Sequence, residues 1–203
     1  MEPLEIEVKF YLENAVFIRD KLLSAGAKSS GRLFESNICF DDADDSLKAK
    51  QSLLRLRKDK KVTLTHKSKP EAGETEFKVL KELEVVVSDF DMMRNILEIL
   101  GYHRTLVYEK YRETLTMGKT KLCIDRMPFG DFMEIEGSKA DIRNLAQELG
   151  MSWDRRITDN YRSMFKIIQQ RLGLSFSDIT FDNFNTVKLD IGPFLPLFEA
   201  KSA

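Results

Sequence analysis

The chain has 203 residues, 42% of them hydrophobic, enough for one domain with a sizeable core and room for an appendage. Its 32 basic and 33 acidic residues balance to a net charge of −1, which argues against a general nucleic-acid binder, since that would carry a basic excess. No apolar run is long enough to span a membrane, and the acidic N-terminal stretch lacks the apolar region of a signal peptide, so a cytoplasmic protein is expected.

Residues 4–10 alternate like a strand, with Glu5, Glu7 and Lys9 on one face and Ile6, Val8 and Phe10 on the other. Residues 13–27 carry Val16, Phe17, Leu22 and Leu23 in a helical stretch that stops at Gly26. Residues 31–42 read as a strand and 43–51 as a polar loop or short turn. Two alternating runs around a Lys/Asp-rich turn make residues 52–70 a hairpin. A loop at 71–74 and a long strand at 75–87 follow. A Ser/Asp cap and Gly101 bracket a helix over 88–101. Residues 102–137 give three strands, separated by turns near Gly118 and at Pro128-Phe129-Gly130. Helices are expected over 139–150 and 158–173. The order points to an α+β fold in which an antiparallel sheet packs helices on one side. Residues 174–203 are too apolar for a free tail, with Phe194, Leu195, Leu197 and Phe198 close together, so they pack either on the body or on a second subunit, as in a homodimer.

Cys39 and Cys123 lie far apart in strand-like stretches without C-x-x-C spacing, which suits buried thiols in a reducing compartment and not a zinc site. His66, His103, Trp153 and the Met92-Met93 pair fit surface or packing roles, and residues 58–61 fit a solvated turn.

Same-sign charges recur at strand spacing. Arg55 and Arg57 alternate with leucines; Lys67 and Lys69 share a parity; Lys110 and Arg112 flank Tyr111. Glu5/Glu7, Glu82/Glu84 and Glu134/Glu136 form three E-x-E doublets, and Asp125 follows Ile124. Like carboxylates held together are unfavourable unless a cation shares them. Such doublets suit Mg²⁺ or Mn²⁺, which take carboxylates together with substrate phosphates. The basic doublets suit phosphate oxygens, which arginine binds bidentately.

The ordered set (E-x-E-x-K at Glu5–Lys9, R-x-R at Arg55–Arg57, a lysine strand, and "FMEIE" ending at Glu136) resembles the CYTH superfamily, also called triphosphate tunnel metalloenzymes. The likeness runs from Glu5 to about Tyr161, and residues 100–136 also resemble the second half of class IV adenylyl cyclases. It implies an eight-stranded antiparallel closed or nearly closed β-barrel, a tunnel with a charged lumen and helices packed outside. Ile6, Val8, Leu54, Leu56, Leu83 and Ile135 would then point outwards. Residues 1–173 would form this domain, with 174–203 an apolar extension outside the pattern.

Carried over, Glu5 and Glu7 would hold the metal, joined from the opposite wall by Glu134 and Glu136, with Asp125 in support and Glu82 and Glu84 as further acidic ligands. Lys9, Arg55, Arg57 and Lys67 would be the catalytic cations on the triphosphate, with Lys69, Lys110 and Arg112 also binding it. "DNYRSMF" is similar to the family's S-Y-x-x-L stretch, with Asn160 where serine is usual. The resemblance implies an Mg²⁺- or Mn²⁺-dependent enzyme for a small triphosphate. It would hydrolyse tripolyphosphate, thiamine triphosphate or a nucleotide, with adenylyl cyclase and a non-catalytic polyphosphate-binding module as the alternatives.

Overall fold

The computed structural model describes residues 4–70 and 74–200. Eight antiparallel strands close into a barrel: β1 (Leu4–Tyr11), β2 (Lys28–Asp41), β3 (Leu53–Lys58), β4 (Val62–Ser68), β5 (Lys78–Val87), β6 (His103–Met117), β7 (Thr120–Met127) and β8 (Gly130–Glu136). The order around the barrel is β1-β5-β4-β3-β2-β6-β7-β8, with β8 returning to β1. The antiparallel barrel with outer helices agrees with the expected fold. Of the loop expected at 71–74, only Glu74 lies within the described residues.

Helices α1 (Ala15–Ser24), α3 (Phe90–Ile99) and α4 (Lys139–Leu149) lie outside, and α5 (Tyr161–Leu172) follows the last strand. Their starts are set chemically. The side chains of Asn14, Asp89, Ser138 and Asn160 accept from the backbone N–H groups of Phe17, Met92, Asp141 and Ser163. Asn160 therefore does the capping job that a serine would do. Residues 43–51, expected as a loop, contain the four-residue helix α2 (Ser46–Ala49), because the Asp41 carboxylate accepts the N–H groups of Leu47 and Lys48.

The period-2 pattern of the strands separates two environments. Outward residues Val8, Leu115, Leu122 and Ile135 are fully buried under α1 and α4. In α1 the buried residues are Ile18 and Leu22, four apart on one face, whereas Val16 and Phe17 are exposed. Ile38, Phe40 and Leu56 form a further cluster beneath α3, which contributes Leu97. Leu83 also points outwards, but no helix covers it and it is exposed. Among the described residues no helix is long and apolar enough to cross a membrane.

The C-terminal stretch is not a tail. It holds α6 (Phe181–Phe184) and α7 (Leu195–Phe198) and packs Ile179, Phe184, Phe194 and Phe198 on the barrel's own Met127 and Phe132. The packing of this stretch is therefore on the body.

Candidate active site

Strand registers place the charged doublets on the inward parity of neighbouring strands. Glu7 stands opposite Glu136, and Lys9 opposite Glu134, across β1 and β8. The two metal-type doublets are thus on adjacent strands and not on opposite walls, because the barrel closes through the β1–β8 pairing. Lys67 faces Glu82 and Thr65 faces Glu84 across β4 and β5. Arg55 and Arg57 lie between Cys39 and Asn37 on β2 and Thr65 and Thr63 on β4. Arg112 pairs in register with Asp125.

The lumen is a dense ion-pair network. Lys9 Nζ donates to Glu134 at 2.7 Å and Lys78 Nζ to Glu7 at 2.6 Å. Lys67 bridges Glu5 and Glu82, and Lys121 holds Glu136. Asp125, fully buried, accepts from Arg112 at 2.6 and 2.5 Å, from Lys110 at 3.0 Å and from the Tyr161 hydroxyl at 2.8 Å. Arg112 also reaches Glu134. The Tyr161 ring lies 4.5 Å from Lys9 Nζ and 5.5 Å from Lys110 Nζ, within cation–π range.

Titration follows from this crowding. Burial is the largest influence on the Glu7 carboxyl and would raise it, with Glu134 adding to the rise, but Lys78, Lys9 and Lys67 together hold the group at about 2. Glu134 is likewise held well below the usual range, with Lys9 and Arg112 overcoming its burial. Burial, reinforced by the neighbouring Asp125 and Glu134, pushes the Tyr161 phenol well above its usual value. Both cysteines are free and buried, and burial raises the Cys39 thiol to about 11.

The β2–β3–β4 wall is different. Arg55 donates to the Tyr108 hydroxyl at 3.1 Å, and Arg57 reaches Glu84 at 3.4 Å. Yet the buried atoms Arg55 Nε, Arg57 Nε, Asn37 Oδ1, Thr63 Oγ1 and Glu35 Oε2 have no hydrogen-bond partner. Unpaired buried polar groups of this kind mark a place for a polar ligand or water.

Of the expected site residues, Lys69 alone lies away from the lumen: it is exposed, one position past the end of β4, where strand parity ceases to apply. Glu82 and Glu84 do face inwards, near the mouth, paired with Lys67 and Arg57. The sequence reading missed Lys78, Glu35, Asn37, Tyr108 and Lys121. Lys78 sits on the same parity as Glu82 and Glu84, so extending that alternation backwards by two steps would have found it.

Among the described residues no three carboxylate, thiol or imidazole groups converge on one point, because cationic side chains hold the carboxylates apart. The chemistry of the donors nevertheless fits a hard divalent cation. Glu5, Glu7, Glu134 and Glu136 offer only oxygen, from two neighbouring strands.

Comparison with known proteins agrees with this architecture. The CYTH domain model matches residues 3–151. The curated protein "Putative adenylate cyclase MJ0240" of Methanocaldococcus jannaschii is 28% identical over 141 residues, covering 68% of this chain and 79% of its own length. A solved structure of an adenylate cyclase from Vibrio parahaemolyticus, itself named as putative, superposes with a TM-score of 0.72 at 19% identity, covering 82% of this chain and 99% of that one. The Hippeastrum protein HpAC1, described as a putative adenylyl cyclase with a dominant triphosphatase activity, superposes with a TM-score of 0.54 at 18% identity, over 85% of this chain and 96% of that one. With the family model covering most of its length and the barrel, doublets and register all in place, the chain belongs to the CYTH domain family.

Proposed function

We propose that this protein is a metal-dependent triphosphate-processing enzyme whose main reaction is hydrolysis of a terminal phosphoanhydride. The observation that carries the reading is the β2–β3–β4 wall, where the Nε atoms of Arg55 and Arg57 have no hydrogen-bond partner beside Asn37 and Thr63, Arg57 being held only by Asp59 at 3.5 Å and Glu84 at 3.4 Å. Preorganised cations of this kind stabilise charge that develops on phosphoryl oxygens. Arg55, Arg57 and Lys67 would bind the triphosphate from this side, with Lys9, Lys110 and Arg112 facing it from β1 and β6. Glu5, Glu7, Glu134 and Glu136 would hold Mg²⁺ or Mn²⁺, which when bound polarises phosphoryl oxygens and neutralises their charge. Binding of substrate and cation requires Lys9, Lys67 and Lys78 to turn from their carboxylates towards phosphate.

Hydrolysis is preferred because both aromatic side chains that reach the charged part of the lumen are already engaged, Tyr108 with Arg55 and Tyr161 with Asp125. Water needs no nucleobase pocket. The cyclase reading draws on the archaeal relative's name and on the second half of the sequence. In that reaction the same walls would hold ATP while the ribose 3′-hydroxyl attacks the α-phosphorus and pyrophosphate leaves.

Product analysis with ATP, tripolyphosphate and thiamine triphosphate, in Mg²⁺ and separately in Mn²⁺, tests the proposal. Orthophosphate release is expected. Cyclic AMP with pyrophosphate would establish the cyclase instead, and binding without turnover would establish a binding module. Glu5→Ala and Glu136→Ala should each abolish turnover while the protein stays folded, and near-normal rates from both would remove the metal assignment.

A further inference from the structure

The lumen is not equally open at its two ends. At one mouth the side chains of Glu84, Glu136 and Lys121 are 32%, 31% and 45% exposed. Deeper in, Lys9 is 2%, Lys110 3% and Asp125 0% exposed. Beyond these charges the inward positions turn apolar, with Cys39, Leu106, Met127 and Phe132 all buried. Tyr161, at the start of α5, sits directly on this layer, its ring 5.4 Å from that of Phe132. Phe184 and Phe176 of the C-terminal stretch back it in a second layer against Phe165.

The closure is made with backbone as well as side chains. The described pairing of β6 with β7 begins at Tyr111 and Arg126, and below that level residue 179 takes the place of β7. Ile179 N–H donates to Val107 O at 2.8 Å, Glu109 N–H donates to Ile179 O at 2.9 Å, and the Asp178 carboxylate accepts Val107 N–H at 2.8 Å. On the other side the β1–β5 pairing ends at Glu7 and Lys78. There Lys9 and Ile157 exchange backbone hydrogen bonds at 3.0 and 2.7 Å, and Ala200 N–H donates to Arg156 O at 2.8 Å. Residues 157–200 thus fill both places where the strands fall short. A bulky group could pass only by breaking these bonds and the aromatic layers together.

We propose that the barrel is a blind cup, closed by α5 and residues 174–200, which accepts only oligophosphates with a free terminal phosphate, entering end-first. The inference rests on the lumen being the triphosphate site. The free end would reach Lys9, Lys110 and Arg112 above the floor. Any organic group would stay at the mouth beside the exposed Lys58, Lys60 and Lys61 turn. A phosphate esterified at both ends has no end that the floor can receive. The segment that makes this selection lies outside the family match at 3–151.

Calorimetric binding to the full-length protein in Mg²⁺ tests this with two ligands of matched charge. Adenosine 5′-(β,γ-methylene)triphosphate has one free end, and P1,P4-diadenosine tetraphosphate has none. The first should bind at least about 100-fold more tightly, and inorganic tripolyphosphate should bind within about tenfold of it. Binding of the doubly esterified ligand within about threefold of the first would overturn the blind cup while leaving the triphosphate site standing. Absence of binding by all three would overturn both.

Discussion

The two halves of the lumen handle their charges in opposite ways. On β7, β8 and β1 every inward carboxylate already has a cation: Asp125 with Lys110 and Arg112, Glu134 with Lys9, Glu136 with Lys121, Glu7 with Lys78 and Glu5 with Lys67. On β2, β3 and β4 Lys67 and Arg57 are also ion-paired, but the Nε atoms of both arginines, the Asn37 amide oxygen and the Thr63 hydroxyl lack hydrogen-bond partners. A buried polar group without a partner costs about 1–3 kcal/mol. The acidic half is therefore satisfied by its own side chains, and the basic half keeps its hydrogen-bonding capacity for a ligand. Removing Asp125, the most deeply buried carboxylate of the first half, should therefore act on stability, and removing an arginine of the second on affinity.

The largest effect expected is from Asp125→Ala. It takes from Lys110 and Arg112 the carboxylate they share, leaving them only Glu35 at 3.6 Å and Glu134, and removes the partner of the Tyr161 hydroxyl. Breaking one side of a buried pair costs about 3–5 kcal/mol, measurable by urea denaturation. A loss below about 1 kcal/mol would break the comparison between the halves.

Next in size, Arg57→Ala should weaken tripolyphosphate binding by about tenfold or more, in keeping with the strength of charge-assisted bonds to phosphate. Its denaturation midpoint should shift far less than that of Asp125→Ala. Lys69→Ala, outside the lumen, should leave affinity unchanged. Equal losses from Arg57→Ala and Lys69→Ala would show that binding is governed by net charge and not by the wall.

The smallest effect concerns acid. Burial would raise the Glu35 carboxyl, but Lys110, 3.6 Å away, and then Arg112 and Arg57 hold it below the usual range. Its folded pKa is thus the lower one, so its contribution is fully present above about pH 4.3, the unfolded value, and fades as pH falls further. Glu35→Gln should flatten the acid limb of the stability curve. A limb as steep as the parent's would assign the acid sensitivity to other carboxylates.

Much of this architecture was legible in the sequence because charge and period coincide. In "EIEVK", "LRLR" and "MEIE" the strand parity carries its own label, so both the strands and their inward faces could be read together. Legibility failed where that coincidence failed. Lys78 and Lys81 lie on opposite faces of one strand, and Lys78 stands alone four residues before the Glu82/Glu84 doublet, so only the alternation carried back from that doublet marks it as inward. Asn37 and Tyr108 carry no charge to mark them, and their value lies in standing beside Arg57 and across from one another. Lys69 has the right parity but no strand to give that parity meaning. Tyr161 reaches Asp125 from a helix, a contact that no strand pattern encodes. The position of residues 174–200 depends on two gaps in hydrogen bonding that exist only once the barrel has closed.

That the first strand pairs with the last has a consequence for how the chain is made. Glu7 meets Glu136, and Lys9 meets Ile157, so β1 cannot complete its neighbours until most of the chain has left the ribosome. Such distant pairings make folding slow and leave strand edges uncovered meanwhile. Charged residues along an edge are what proteins use to stop strands from sticking to one another. Glu5, Glu7 and Lys9 alternate along the strand that waits longest, so the residues that later line the lumen first lie on one face of an uncovered strand and give it the kind of charge that opposes such pairing.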